Sequence, residues 1–281
     1  MKRISAMILA FTLITLLCAC GSTEPPQVTE DPQPINTPVP VVMEKSDGIL
    51  TEEIYYNADG LRYMTVRYEY DGSGRVSKMQ KLGVNEAPES YTAYEYGADG
   101  KLLKESYFNA VDAENFEPAG ECVYEYDADG LCVKKDSVRD GYKSLYEYGY
   151  NADGQLITEK CHEDGELIYV LGYTYDENGN NTVLTRKSVM TETESVTGME
   201  YDAEGHLIRV STGEGSTVYE YNGHGDEVKM SLYDADGVLS YARITEHEYD
   251  EAGNIIRSSC SSEGTGLEVT VTEYVWTYAK G

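Results

Sequence analysis

From about residue 49 onward, large apolar residues, most of them tyrosine, alternate with polar ones, and short polar clusters ending in glycine interrupt the alternation. Alternation with period two marks strands with one buried face, and Asx–Gly clusters between them mark tight turns. Eleven glycines anchor the pattern: Gly60, Gly74, Gly100, Gly130, Gly154, Gly165, Gly179, Gly205, Gly225, Gly237 and Gly253. Four residues before each glycine, ten of the eleven positions are tyrosine, with Cys161 the exception; three residues before, nine are Asn or Asp. Two residues after, eight are apolar, among them Val76, Leu102, Cys132, Leu156, Leu207 and Ile255.

This spacing predicts a specific hairpin. In Asp127-Ala128-Asp129-Gly130 the first Asp caps a type I turn, and the glycine takes positive φ as the first residue of a β-bulge. Tyr126 then faces Cys132 across the hairpin, and Tyr124 is expected opposite Lys134. The same register pairs Tyr96 with Leu102, Tyr201 with Leu207 and Tyr249 with Ile255, so aromatic and aliphatic partners share a face. Glu95, Glu125, Glu200 and Glu220 point to the other face. The turn glycines Gly74, Gly100, Gly130, Gly154, Gly179, Gly205, Gly225 and Gly253 are structural, since only glycine takes positive φ without cost.

One hairpin is marginal in water, so the repeats must pack on one another. The expected fold is all-β: tandem antiparallel hairpins forming one long, twisted, curled sheet with its tyrosine face concave. A closed barrel or a two-sheet sandwich stays open as an alternative, because periodicity does not fix curvature. Longer insertions fall near residues 82–91 and 109–119. The alternating run Val269 to Tyr278, with no turn after it, reads as a terminal capping strand.

The first 48 residues have a different pattern. Lys2 and Arg3 precede a mostly apolar run from Ile4 to Leu17, and Cys18-Ala19-Cys20-Gly21 follows. That order reads as a signal peptide over residues 1–19, too short for a comfortable membrane span. Leu17-Cys18-Ala19-Cys20 resembles the bacterial lipobox, which implies cleavage before Cys20 and a diacylglycerol on its thiol. Six of the eight prolines lie between Pro25 and Pro40. Residues 20–48 therefore read as a lipid anchor and a Pro/Thr-rich tether, and residues 49–281 as the repeat domain.

Composition sharpens this picture. Tyrosine dominates the aromatics, with 26 Tyr against 3 Phe and 1 Trp, which suits a half-buried surface where the ring packs and the hydroxyl finds a partner. Without Lys2 and Arg3 the chain has 20 basic and 50 acidic residues, a charge of −30. Such a charge repels nucleic acid phosphates and anionic headgroups, so no nucleic acid partner is expected, and membrane contact is expected through the lipid alone.

Tyr68-Glu69-Tyr70-Asp71-Gly72-Ser73-Gly74-Arg75-Val76, Tyr124-Glu125-Tyr126-Asp127-Ala128-Asp129-Gly130-Leu131, Tyr173 to Gly179 and Glu248 to Ile255 resemble the YD repeat of Rhs-type proteins. The resemblance covers about residues 50 to 260. It implies a long β-sheet that spirals into a shell, which in that family surrounds a toxin or other cargo. The arginine that commonly follows the glycine is present here only as Arg75. About eleven hairpins are too few to enclose a protein, and the core region and self-cleaving segment of delivery proteins have no counterpart, so toxin delivery is not carried over.

No constellation points to catalysis. Cys122, Cys132, Cys161 and Cys260 follow the anchor and allow three disulfide connectivities; Cys122 and Cys132 share a face but are four residues out of register, too far for a bridge. Glu125 to Gly130 alternates acids as a calcium loop does, yet strands flank it where helices are needed. His162, His206, His224 and His247 occupy ordinary slots in or beside turns, without metal-site spacing. The expectation is a protein with no catalytic residue, no metal and no cofactor. Its function is read as a cell-envelope lipoprotein presenting a tyrosine-rich surface for binding a glycan or an envelope protein, with a structural or assembly scaffold as the alternative and an enzyme as a remote third. The stripe Tyr70, Tyr96, Tyr126, Tyr150, Tyr175, Tyr201, Tyr221 and Tyr249 is the candidate ligand surface.

Overall fold

The computed structural model describes residues 48–263 and 270–278. The expected leader, Cys20 and the tether up to residue 47 lie outside the described residues. The alternating segments become eighteen strands: β1 Gly48–Tyr56, β2 Arg62–Tyr70, β3 Val76–Leu82, β4 Pro88–Tyr96, β5 Leu102–Ala110, β6 Phe116–Tyr126, β7 Cys132–Arg139, β8 Tyr142–Tyr150 and β9 Leu156–Glu163. They continue as β10 Glu166–Tyr175, β11 Asn181–Ser188, β12 Glu194–Tyr201, β13 Leu207–Thr212, β14 Gly215–Tyr221, β15 Glu227–Asp234, β16 Leu239–Tyr249, β17 Ile255–Glu263 and β18 Thr270–Tyr278. The insertions near 82–91 and 109–119 are mostly strand, with a short 3-10 turn at Val84–Glu86 in the first.

Each strand pairs antiparallel with the next, and β18 pairs with β1 as well as with β17. The sheet is therefore a closed up-and-down barrel, not the open curled sheet expected from the repeat. Closure removes both edge strands, which is the physical gain over an open meander. The run ending at Tyr278 does not cap the sheet; it closes it. Strand contacts run around the ring, each strand lying against its two neighbours.

Residue facing follows from the register. Tyr126 pairs with Cys132, Tyr96 with Leu102, Tyr201 with Leu207 and Tyr249 with Ile255, as the turn chemistry demands. The bulge then inserts one residue, so Glu125 pairs with Lys134 and Tyr124 with Lys135, not with Lys134. On this face Val76, Leu102, Cys132, Leu156, Tyr124, Tyr148 and Tyr173 are buried, and on the other Glu69, Glu95, Glu125 and Glu220 are exposed. The concave side of a closed wall crowds its side chains, so the tyrosine face is the lumenal one. The outer wall carries charge at mid-strand as well as near the turns: Asp136, Glu147, Lys160 and Glu246 all face out, and Lys160 lies opposite Glu147. A lipid-facing wall would lose about 2–4 kcal/mol for a midplane Lys.

Eight of the eleven anchor glycines, Gly74 to Gly253 without Gly165 and Gly237, turn at one rim, called here the glycine rim. Gly60, Gly165 and Gly237 turn at the far rim. Gly165 departs from the expected turn: Asp164 and Gly165 both have positive φ in a two-residue hairpin. Gly60 and Gly237 do make the expected turn, but their tyrosines, Tyr56 and Tyr233, face outward by register. The reason is geometric. A meander advances in one direction, so a hairpin at the opposite rim is the same hairpin turned over.

Two strand glycines are dictated by close approach. A Cβ on Gly215 would lie 2.1 Å from the Tyr233 carbonyl oxygen, and one on Gly120 would lie 2.2 Å from that of Val138. Their φ values, +153° and +158°, are also glycine territory. We expect Gly120→Ala and Gly215→Ala each to destabilise the barrel by about 2–4 kcal/mol in urea denaturation. Gly198→Ala, with nothing within 4 Å of its Cβ, should stay within about 0.5 kcal/mol of wild type.

Candidate functional site

The stripe tyrosines are each the last residue of an even-numbered strand, and together they ring the lumen just below the glycine rim. Seven of the eight turns that follow are built alike; the exception is Gly97–Gly100, where glycine stands in the capping position and Asp99 Oδ1 accepts from the Lys101 amide. Gly130 sits at φ +87°, its N–H donates to the Asp127 carbonyl, and Asp127 Oδ1 accepts from the Asp129 and Leu131 amides. The acids that resembled a calcium loop are thus spent on the turn itself. Asp71 is held below the usual carboxylate range by its hydrogen bonds from Arg75, and Asp176 by the Asn180 amide. The stability these caps lend is present above the ordinary carboxylate pKa and is lost as pH falls through the lowered one.

The stripe hydroxyls are committed. Each reaches back to the carbonyl two residues past the glycine of the preceding turn: Tyr96 to Val76, Tyr126 to Leu102, Tyr150 to Cys132, Tyr175 to Leu156, Tyr201 to Asn181 and Tyr221 to Leu207, over 2.6 to 2.9 Å. At the chain closure Tyr70 donates to Leu50, and Trp276 Nε1 donates to Ile255 at 2.8 Å, so Trp276 takes a tyrosine's place in the ninth repeat. The one deviation is Tyr249, which donates to Asp226 Oδ2 at 2.8 Å, while His247 Nε2 lies 2.9 Å from the Glu227 carbonyl that the pattern would assign to it. Sequence reasoning missed these acceptors, because a carbonyl leaves no mark in the sequence. Trp276 was findable: Tyr274-Val275-Trp276 has the spacing of Tyr124-Glu125-Tyr126.

Several stripe rings also carry a stacked side chain. Arg75 lies over Tyr96 at 4.5 Å and Lys101 over Tyr126 at 5.3 Å, and His206 stacks on Tyr221 at 4.8 Å and His224 on Tyr249 at 4.4 Å. Three of these four, Arg75, Lys101 and His206, stand directly after the turn glycine. The contact that Arg75 makes is thus made by other cations or an imidazole elsewhere. Each staple is worth about 1 kcal/mol, so Tyr126→Phe should cost that much and Tyr126→Ala about 2–4 kcal/mol. Tyr142→Phe, at a ring 77% exposed, should change little when all three are compared by chemical denaturation.

Deeper in the lumen, carboxylates gather pairs of tyrosines. Glu53 accepts from Tyr55 and Tyr68, Glu105 from Tyr107 and Tyr124, and buried Glu159 from Tyr169 and Tyr173. Burial first, and the neighbouring carboxylate second, push the hydroxyls of Tyr124, Tyr148 and Tyr173 far above the ordinary tyrosine value. Tyr70 and Tyr126, nearer the rim, are pushed up by burial to about 12. Around these groups Arg139 lies over Tyr107 at 4.9 Å, Lys135 over Tyr146 at 5.3 Å and Arg186 over Tyr169 at 4.4 Å. Cys122, Cys132 and Cys161 are buried free thiols on the same wall, and Cys260 is a half-buried one. Burial raises the thiol pKa of Cys122, Cys132 and Cys161, which makes them poor nucleophiles. Among the described residues no group of three or more His, Cys, Asp or Glu side chains is placed to hold a metal ion.

Against protein families, two overlapping segments, residues 44–179 and 126–266, match the sequence profile of the Teneurin YD-shell. The chain belongs to that family. The iterated tyrosine–Asx–glycine turn is therefore a YD repeat, and the shell wall it builds is the closed barrel described above. No curated protein matches this YD-shell chain. Among solved structures, a porin-like protein from Bacteroides uniformis aligns over 81% of the chain and 96% of its own length, with 12% identity and a TM-score of 0.47. The Photorhabdus luminescens Tc holotoxin pore aligns over 78% of the chain with 12% identity and a TM-score of 0.30, and a TcdB2–TccC3–Cdc42 structure over 75% with 13% identity and 0.31. The YD-shell chain spans 15% of the length of each of these two.

Proposed function

We propose that this YD-shell protein is a cell-envelope lipoprotein, anchored by a lipid on Cys20, that holds a hollow barrel away from the membrane as a binding module and does no chemistry of its own. The observation that carries this reading is a closed wall, charged outside and lined inside by tyrosine rings interleaved with carboxylates and cations. Such an interior suits a ligand with both stacking faces and hydroxyls, a glycan, or a polar protein segment. The stripe would contribute ring faces rather than hydroxyls. Two measurements test the proposal. Fatty-acid labelling that persists in Cys20→Ser would end the anchoring claim, and glycan arrays and peptidoglycan pull-downs with no retention would end the glycan form.

A second reading, a scaffold with no ligand, is favoured by the commitment of all eight stripe hydroxyls to the barrel's own backbone and turn side chains. It requires concentration-dependent assembly in light scattering, and a strict monomer would count against it.

A further inference from the structure

The two rims differ in chemistry. Tips at the glycine rim are Ala, Asp, Asn, Glu, Ser, His and Gly, and none of the turn residues is a large exposed apolar one. At the far rim six successive or nearly successive turns each display one: Leu61 is 64% exposed, Val84 58%, Val111 63%, Tyr142 77%, Met190 80% and Val238 61%. Isolated exposed apolar residues need no explanation, but a ring of them on one end of a barrel does. All six stand within two residues of an exposed carboxylate: Asp59 beside Leu61, Glu86 beside Val84, Asp112 beside Val111, Asp140 beside Tyr142, Glu192 beside Met190 and Asp236 beside Val238; Glu86 is paired with Arg62 and Arg67.

We propose that the far rim docks a cationic, apolar protein segment, whose apolar side chains cover the rim tips while its basic groups meet the interleaved carboxylates. Charge complementarity selects this occupant. A second copy would bring one acidic ring against another in a chain of formal charge −28. Topology argues against the bilayer. β1 enters the barrel at the glycine rim, so a tether joined to Gly48 leaves from the end opposite the apolar tips. The proposal rests on the binding-module reading and specifies its envelope-protein form.

The test uses the mature chain with Cys20→Ser, so that no lipid confuses the readout. Its probes are an amphipathic helical peptide of Leu and Lys, the matching Leu and Glu peptide, and phosphatidylcholine vesicles. We expect the Leu/Lys peptide to bind with a steep salt dependence and the other two probes not to bind. Replacing the six tips by Ser should weaken binding by at least about tenfold. So should neutralising Asp59, Asp140, Glu192 and Asp236 to Asn or Gln, a set that leaves packing untouched should the serine variant fail to fold. Neutralising Asp129, Glu177, Glu204 and Glu251 on the glycine rim should change nothing. Equal loss from both rims would reduce the effect to general acidity and overturn the proposal. Vesicle uptake, or dimers abolished by the serine tips, would overturn it in favour of a lipid surface or a second copy. A glycan-array hit with no peptide binding would sink the rim proposal and leave the binding module standing.

Discussion

Raised above pH 10, the protein is expected to unfold in one cooperative step before about pH 12. Tyrosine is the reason. In the unfolded chain the phenols ionise around the ordinary value of 10.0; in the barrel, burial and neighbouring carboxylates keep Tyr124, Tyr148 and Tyr173 neutral far above it. A group whose folded pKa is raised binds more protons in the fold than out of it once pH passes the unfolded value. The stability it lends is complete below pH 10 and drains away as pH rises toward the folded pKa. At one pH unit above 10, each tyrosine held neutral costs about 1.4 kcal/mol, and these three buried rings alone cost about 4 kcal/mol. A domain has about 5–15 kcal/mol in all, and the half-buried rings add to the drain: Tyr70 and Tyr126 stay protonated to about 12. Tyrosinate absorbance should therefore rise in a single step that coincides with loss of the strand signal in circular dichroism. Gradual tyrosinate formation with the strand signal intact would show that the rings are not held neutral by the fold.

How far the sequence reaches is clear from individual residues. Most of what is local was legible, the two-residue turn at Asp164–Gly165 being the exception. The Asp127–Gly130 spacing set the turn, the positive φ of Gly130 and the pairing of Tyr126 with Cys132, because a hairpin turn fixes register within a few residues. What depends on the bulge was half legible: the extra residue after Cys132 moves Tyr124 from Lys134 to Lys135, and alternation counted straight through the bulge misses the slip. What depends on the whole ring was not legible. Tyr56 and Tyr233 match the repeat letter for letter yet face outward, since the face of a hairpin is set by the rim on which it falls. Closure depends on twist and stagger accumulated over eighteen strands, and no window of sequence contains it. The stripe was correctly gathered onto one face, but its hydroxyl partners are mostly backbone carbonyls, invisible in a string of side chains. The far-rim tips were hidden for a related reason. Leu61, Val111 and Met190 lie far apart in the chain and become neighbours in kind only when the barrel brings every second turn to one end.

Breaking the seam should be the most damaging change of all, and the protein carries its own reporter there. β18 is held on both sides, with Thr272 opposite Ser258 of β17 and opposite Tyr55 of β1. Proline at 272 removes a ladder donor that one neighbour must lose, and its ring forbids the strand from simply re-registering. In an open sheet such damage at the last strand would fray an edge. In a closed barrel it creates two edges at once, on β17 and β1, and also weakens the Trp276 staple to the Ile255 carbonyl. Thr272→Pro is expected to lower stability by about 3 kcal/mol or more. It should also shift the emission of Trp276, the single tryptophan, to the red, and turn a well-behaved solution into one that associates as concentration rises, because bared strand edges pair with each other. Ala128→Pro is the matched control: it places the same residue at the second position of a type I turn, where φ already suits it, and should leave both stability and emission unchanged. A Thr272→Pro protein that stays monomeric, with unaltered emission and an unaltered denaturation midpoint, would mean that β18 does not close the wall.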